Sequence, residues 1–189
     1  SFELSDQFGA WRIVARDRGG QVDLTPLQGG SLEADLGARD LTVNAMAEPL
    51  LGGKLVDPFG GARDLAERRL RMVSPAAFAA DPLRTIRVAR LATELRFEVE
   101  PATADAVRAH ASGLGDVSPE RVFAELRRIV VADDAVDGVM LVDELGLTAA
   151  VLPELTELRG VEQTAYHHRD VHGHTLEVLQ ATIDLERDP

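Results

Sequence analysis

The sequence contains no cysteine. That removes disulfides, thiolate zinc fingers and thiol catalysis, and leaves carboxylates and histidines as the only strong metal ligands. Lysine is almost missing too, since all but one of the 20 basic residues are arginine. No apolar run approaches the roughly 20 residues that a membrane helix needs. The opening residues Ser1 to Asp6 lack the basic and apolar regions of a signal peptide. A soluble, cytoplasmic protein is therefore expected, with no membrane partner. There is no repeat of fixed period and no low-complexity tract. The chain also lacks an initiator methionine, opening at Ser1 in what reads as mid-domain sequence and stopping at Pro189 just after an amphipathic run.

What is present is enough for a folded protein. A chain of 189 residues with 45% hydrophobic composition can form one ordinary domain or a few small modules. The net charge of −12 argues against nucleic-acid binding if averaged over the surface. The average hides a pattern. Residues 1–60 carry 9 acidic and 5 basic groups, residues 61–130 carry 10 and 12, and residues 131–189 carry 13 and 3. A mildly basic middle is flanked by acidic ends, and arginine suits planar, bidentate recognition of phosphates and base edges. A compositionally biased genome gives the same arginine excess.

Along the chain, Ala10–Ala15 and Gln21–Thr25 alternate around the turn signal Asp17-Arg18-Gly19-Gly20, which predicts a β-hairpin. Beyond this hairpin the chain reads as mainly helical. Ser31 can cap a short helix to Leu36, and Asp40 is expected to start another through Asn44 and Met46. Lys54–Gly61 reads as an extended piece and a turn. Asp81-Pro82 predicts a helix start, because the carboxylate can accept from free N–H groups and proline fits the first turn; this helix should run to about Leu95. Further helices are expected over Ala102–Ala111, closed by Gly113, then from Ser118-Pro119, over Asp134–Leu145, and over Leu147–Leu158 with a break or start at Pro153.

Four segments carry chemistry, and a fifth reads as structural. In Arg39-Asp40-Leu41-Thr42-Val43-Asn44-Ala45, Asp40 reads physically as a helix cap with Asn44 one turn later. In Asp57-Pro58-Phe59-Gly60-Gly61, the glycine pair reads as a turn. From Asp81, residues advance by about 100°, so Asp81 and Arg84 lie one turn apart and Arg84, Arg87 and Arg90 form a slanting stripe. Such a stripe offers one acid and one guanidinium to a base and further guanidiniums to phosphates, or else is a solvated face pairing with Glu94 and Glu98. Ser118-Pro119-Glu120-Arg121-Val122-Phe123-Ala124-Glu125-Leu126 reads as structural, with Ser118 capping and Glu125 pairing with Arg121 or Arg128. Finally, Tyr166–Leu176 holds four histidines in eight positions, although a metal site needs distant ligands as well.

Taken in order, these segments resemble the class II template-independent RNA nucleotidyltransferases, the family of bacterial CCA-adding tRNA nucleotidyltransferases and poly(A) polymerases. Residues 39–45 resemble its "R-D-[FL]-T-[VI]-N-A" string, 57–65 its next motif, 81–90 its "E-D-x-x-R" neck helix and 118–126 its "S-x-E-R-[IV]-x-x-E-L" element. The resemblance covers about residues 8 to 176. It implies an α/β remnant of a polymerase-β-like nucleotidyltransferase head (1–72), an all-α neck (73–132), and a helical body with the start of an HD domain (133–189). It further implies that Arg39 and Asp40 help hold the sugar and phosphates, with Asn44 also nucleotide-binding, and that Asp81 and Arg84 act as an amino-acid template for cytosine or adenine. Arg87 and Arg90 join them as nucleotide ligands, and Gly60 and Gly61 form a hinge. Ala80 stands where the family has glutamate. His174 matches the first metal ligand of an HD centre whose His-Asp doublet and final Asp are absent.

The reaction so implied transfers nucleotides from CTP and ATP to the 3′ end of tRNA or another RNA with Mg²⁺. The family's metal-binding carboxylates lie in a "G-[GS]-x-x-R-D … D-x-D" segment that does not occur here, so the chain is expected to start after it and to be inactive alone, with Asp23 as a supporting acid. Poly(A) synthesis, an HD-type phosphohydrolase, and a non-catalytic RNA-binding helical module are the alternatives.

Overall fold

The computed structural model describes residues 2–5, 9–14, 20–162 and 169–187. The chain forms two compact units, Ser1–Ala38 and Arg39–Pro189. In the first, strands β1 (Phe2–Ser5), β2 (Ala10–Val14) and β3 (Gln21–Leu24) make an antiparallel sheet in that order. β2 and β3 are the hairpin expected from their alternation, with Trp11 opposite Leu24 and Arg12 opposite Asp23. β1 was not expected. Helix α1 (Leu32–Gly37) comes next, and the Ser31 hydroxyl accepts the Ala34 amide at 3.2 Å.

The second unit is helical, with α2 (Gly61–Ala66), α3 (Ala77–Ala80), α4 (Leu83–Leu95), α5 (Pro101–His110), α6 (Pro119–Val130), α7 (Ala135–Glu144), α8 (Thr148–Val151), α9 (Pro153–Glu157) and α10 (Val171–Arg187). Two residue pairs, β4 (Arg69–Leu70) and β5 (Glu98–Val99), lie parallel. Helix α4 is the axis of this unit. Ile86, Val88, Ala89 and Ala92 are buried on several sides, because α3, α6 and α7 all pack against it. With Leu41, Phe78, Val107, Ile129 and Leu147 they form one core. Each of the larger side chains so buried contributes about 1.5–3 kcal/mol. α4 starts where Asp81-Pro82 predicts, the Asp81 carboxylate accepting the Leu83 amide at 3.3 Å. It ends at Leu95 because Arg96 takes a left-handed backbone, φ 55°, with its guanidinium on Asp134 at 2.5 Å.

Several expectations need correcting. No α-helix runs from Asp40 to Met46. A single 3-10 turn, Thr42–Asn44, is all that forms, because residues 40–42 pair with 71–73: the Val73 amide donates to the Asp40 carbonyl at 3.0 Å and the Thr42 amide to that of Arg71 at 2.9 Å. The α5 segment does not close at Gly113 but continues as a 3-10 turn to Asp116. Ser118 makes no side-chain cap to α6. The break expected at Pro153 within Leu147–Leu158 is present, dividing it into α8 and α9.

A candidate nucleotide-binding site

The strand-like pairing of 40–42 with 71–73 fixes Arg39 and Asp40, and the α4 start fixes Asp81, Arg84 and Arg87. These come together. A cavity of about 250 Å³ is lined by Arg39, Asp40, Asn44, Asp81, Leu83, Arg84, Arg87 and Arg121. Four guanidiniums face two carboxylates, so the cavity is locally positive in a protein whose net charge is −12. Fixed positive groups in a concave site focus field on an anion.

The internal bonding shows how each side chain is held. Asp40 is buried; its Oδ1 accepts the Leu41 amide at 2.8 Å and the Asn44 amide nitrogen at 3.1 Å. Its Oδ2 lies 2.7 Å from Arg87 Nε, an ion pair without an aligned hydrogen bond. Arg84 Nη1 donates to the Ala77 carbonyl at 3.2 Å. Asp81 Oδ2 accepts from Arg121 Nη2 at 3.1 Å. The residue leading into α4 therefore presents an acid, and Arg84 and Arg87 in its first turns present guanidiniums, to the same space.

Arg90 does not join them. Its guanidinium is 3% exposed, 2.5 Å from Glu125 and 2.7 Å from Glu94, and Glu94 in turn takes both prongs of Arg128. The sequence reading of Arg90 as a nucleotide ligand is corrected: three residues past Arg87, the stripe has turned into the α4–α6 interface. Glu125 correspondingly pairs with Arg90, not with Arg121 or Arg128. Arg121, expected only to pair with Glu125, lines the cavity instead. Its spacing within 118–126 carries no sign of the cavity, which only the docking of α6 beside the start of α4 creates.

The glycine pair is a packed joint in this structure. Gly60 is left-handed at φ 75°, and a Cβ on Gly61 would stand 2.1 Å from the Thr42 carbonyl oxygen. Asp57 accepts the Gly61 and Ala62 amides at 2.7 and 3.0 Å, capping α2. Beside it, fully buried Asp64 accepts from the Thr42 hydroxyl at 2.6 Å and from Arg71 Nε at 2.9 Å. Burial by itself pushes this carboxyl up; Thr42 and Arg71 outweigh it and hold it below its ordinary value of 3.8.

Two expected metal residues are placed differently. Asp23 is bidentate with Arg12 across the hairpin, both bonds 2.7 Å, and the bonds from Arg12 lower its carboxyl pKa. His174 lies on α10 with its Nδ1 4.0 Å from Glu177. His167 and His168 fall outside the described residues. Among the described residues no three His, Asp or Glu side chains gather as a metal site. The carboxylates present, Asp40 and Asp81, are each taken up by an arginine, so the residues described do not fit Mg²⁺.

A larger cavity, about 440 Å³, opens at the far end of α4 between Arg96, Glu98, Asp134 and Asp137. It contains none of the motif residues, and its guanidinium is occupied by Asp134. Size does not make it the site.

Residues 10–71 match the poly A polymerase head domain, and residues 96–158 match the probable RNA- and SrmB-binding site of polymerase A. The chain is 42% identical over 193 residues to the A-adding tRNA nucleotidyltransferase of Deinococcus radiodurans, covering 100% of this chain and 44% of that protein. It is 38% identical over 195 residues to the CC-adding tRNA nucleotidyltransferase of Geobacter sulfurreducens, covering 100% and 45%. The crystal structure of the Bacillus stearothermophilus CCA-adding enzyme in complex with CTP superposes with a TM-score of 0.72 at 31% identity, over 82% of this chain and 42% of that one. The chain belongs to the class II tRNA nucleotidyltransferase and poly(A) polymerase family. It spans less than half the length of those two curated relatives.

Proposed function

We infer that this chain is the nucleotide-selecting part of an enzyme that adds C, A or both to the 3′ end of tRNA without a nucleic-acid template. The observation that carries this is the single cavity onto which Arg39, Asp40, Asn44, Asp81, Arg84 and Arg87 converge. Asp81 and Arg84 offer an acceptor and donors to a base edge. Cytosine and adenine carry an amino donor where uracil and guanine carry a carbonyl oxygen. Each polar group left unpaired against the wrong base costs on the order of 1–3 kcal/mol. Arg39 and Arg87, with Asp40 set by Asn44, hold the triphosphate and sugar, since guanidiniums pair bidentately with phosphate oxygens.

On this reading residues 1–72 belong to the head, 73–132 to the neck and 133–189 to the body with the start of an HD domain. Gly60 and Gly61 lie in the last part of the head, before its junction with the neck. Mg²⁺ in the complete enzyme is held by carboxylates other than those described, and Asp23, engaged by Arg12, is not one of them. The enzyme works in the cytoplasm; no described helix is long and apolar enough to cross a membrane. The names of the two curated relatives, one A-adding and one CC-adding, favour tRNA over poly(A) synthesis as the setting. Their near-equal similarity gives no preference between the two bases.

The test is Asp81→Ala in the complete protein, supplied with tRNA ending before CCA and with CTP and ATP separately and together. Selection of C and A over U and G should fall by at least about tenfold, the size of one lost polar contact, while the affinity for tRNA changes little. Selection like that of the unaltered enzyme would rule the reading out.

A further inference from the structure

Arg121 lies in the first turn of α6, and Asp81 stands just before α4; both face the same cavity. Arg121 Nη2 donates to Oδ2 of Asp81 at 3.1 Å, while the Leu83 amide donates to Oδ1 at 3.3 Å. A carboxylate offers about four lone-pair sites. One on each oxygen is taken, so the group cannot rotate about its Cβ–Cγ bond without losing a partner. The residue before Asp81 is Ala80, so that position offers Arg121 no second carboxylate.

We propose that Arg121 is a specificity-determining positioning residue, which fixes the rotation of the Asp81 carboxylate so that its remaining lone pairs receive the exocyclic amino group of cytosine or adenine. This rests on the proposed function, in which Asp81 meets the base. Uracil and guanine bring a carbonyl oxygen to the same place. Against a fixed carboxylate, acceptor then faces acceptor and no rotation relieves it. A carboxylate released from Arg121 turns aside and admits a water, which pairs with the wrong base and weakens its rejection. The Arg121 and Asp81 side chains are 54% and 34% exposed, so their pair adds little to folding. Its loss therefore registers in selectivity, not in stability.

The experiment uses the complete protein and measures kcat and KM for CTP, ATP, UTP and GTP on tRNA lacking its CCA end. Arg121→Ala should lower the preference for CTP over UTP, and for ATP over GTP, by about tenfold, mainly through faster use of the wrong nucleotides; one unmade polar contact of about 1.4 kcal/mol has that size. Arg121→Lys keeps one donor and should recover part of the preference. In an Asp81→Ala background, Arg121→Ala should change nothing further. Arg128→Ala, which detaches α6 from Glu94 away from the cavity, should lower the melting temperature and leave the preference intact. Full preference in Arg121→Ala, or an Arg121 effect that persists without Asp81, overturns the proposal. Loss of selection in Asp81→Ala together with full selection in Arg121→Ala defeats this proposal alone. Intact selection in Asp81→Ala defeats the functional reading and this proposal with it. If Arg121→Ala fails to fold, Arg121→Lys decides: a reduced preference supports the proposal and an unchanged one ends it.

Discussion

Arg87 and Arg90 sit one turn apart on α4 and have opposite surroundings. Arg87 is 41% exposed on the cavity, and Arg90 is 3% exposed between two glutamates. Arg90→Met removes the cation that both Glu94 and Glu125 face, and an uncompensated buried charge costs about 3–5 kcal/mol. Denaturant melts should show a loss of that order, with KM for CTP and ATP unchanged. A raised KM at unchanged stability would mean that Arg90 reaches the nucleotide after all. Asp64 supplies a pH-dependent case. Its carboxyl is held below its ordinary value of 3.8 in the folded state, so it contributes stability that is present above about pH 4 and is lost as acid takes the pH through the lower, folded value. Asp64→Asn should cost about 1.5–3 kcal/mol at neutral pH, the range for hydrogen bonds to a charged group. It should also flatten the acid limb of a stability–pH curve, and an acid limb as steep as that of the unaltered protein would show that some other carboxylate governs it.

The elements around these residues differ in how openly the sequence announces them. α4 and α6 were legible because each opens on a cap-or-proline pair and carries an apolar face long enough to fix its period; both ends of α4 fall within two residues of expectation. β4, β5 and the 40–42 pairing were not legible, because each is a two- or three-residue contact whose partner lies about 30 residues away and leaves no local pattern. The same holds for the site. Asp81, Arg84 and Arg87 could be read as one helix face, whereas Arg121 entered and Arg90 left through interhelical packing. Gly61 shows the limit most plainly, since a glycine pair spells a turn in sequence, but here its missing Cβ is what lets the α2 N-terminus touch the Thr42 carbonyl. Gly61→Ala must push these apart, which also strains the Thr42–Asp64 hydrogen bond, and overpacking of this kind costs about 1–3 kcal/mol. A melting temperature unchanged by this substitution would mean that the joint yields freely, as a hinge does.

On the scale of the whole molecule, charge is segregated along the chain more than the total suggests. The positive cavity draws most of its arginines from the middle third, whereas residues 131–189 hold 13 acidic and 3 basic groups. Free RNA phosphates are attracted to the former and repelled by the latter, and at physiological salt each influence reaches about 8 Å. An RNA 3′ end bound on this reading would therefore be held through few phosphates, and its affinity would fall with salt at a shallow slope, about 0.7 per phosphate neutralised on a logarithmic scale. Neutralising Glu177, Asp184 and Glu186, each exposed on α10, removes repulsion without touching the cavity. Binding of tRNA by the complete protein should then tighten several-fold at low salt, the gain should vanish at high salt, and nucleotide preference should stay where it was, because selection depends on contacts inside the cavity and not on the long-range field. A gain that survives high salt would instead place α10 in direct contact with the RNA.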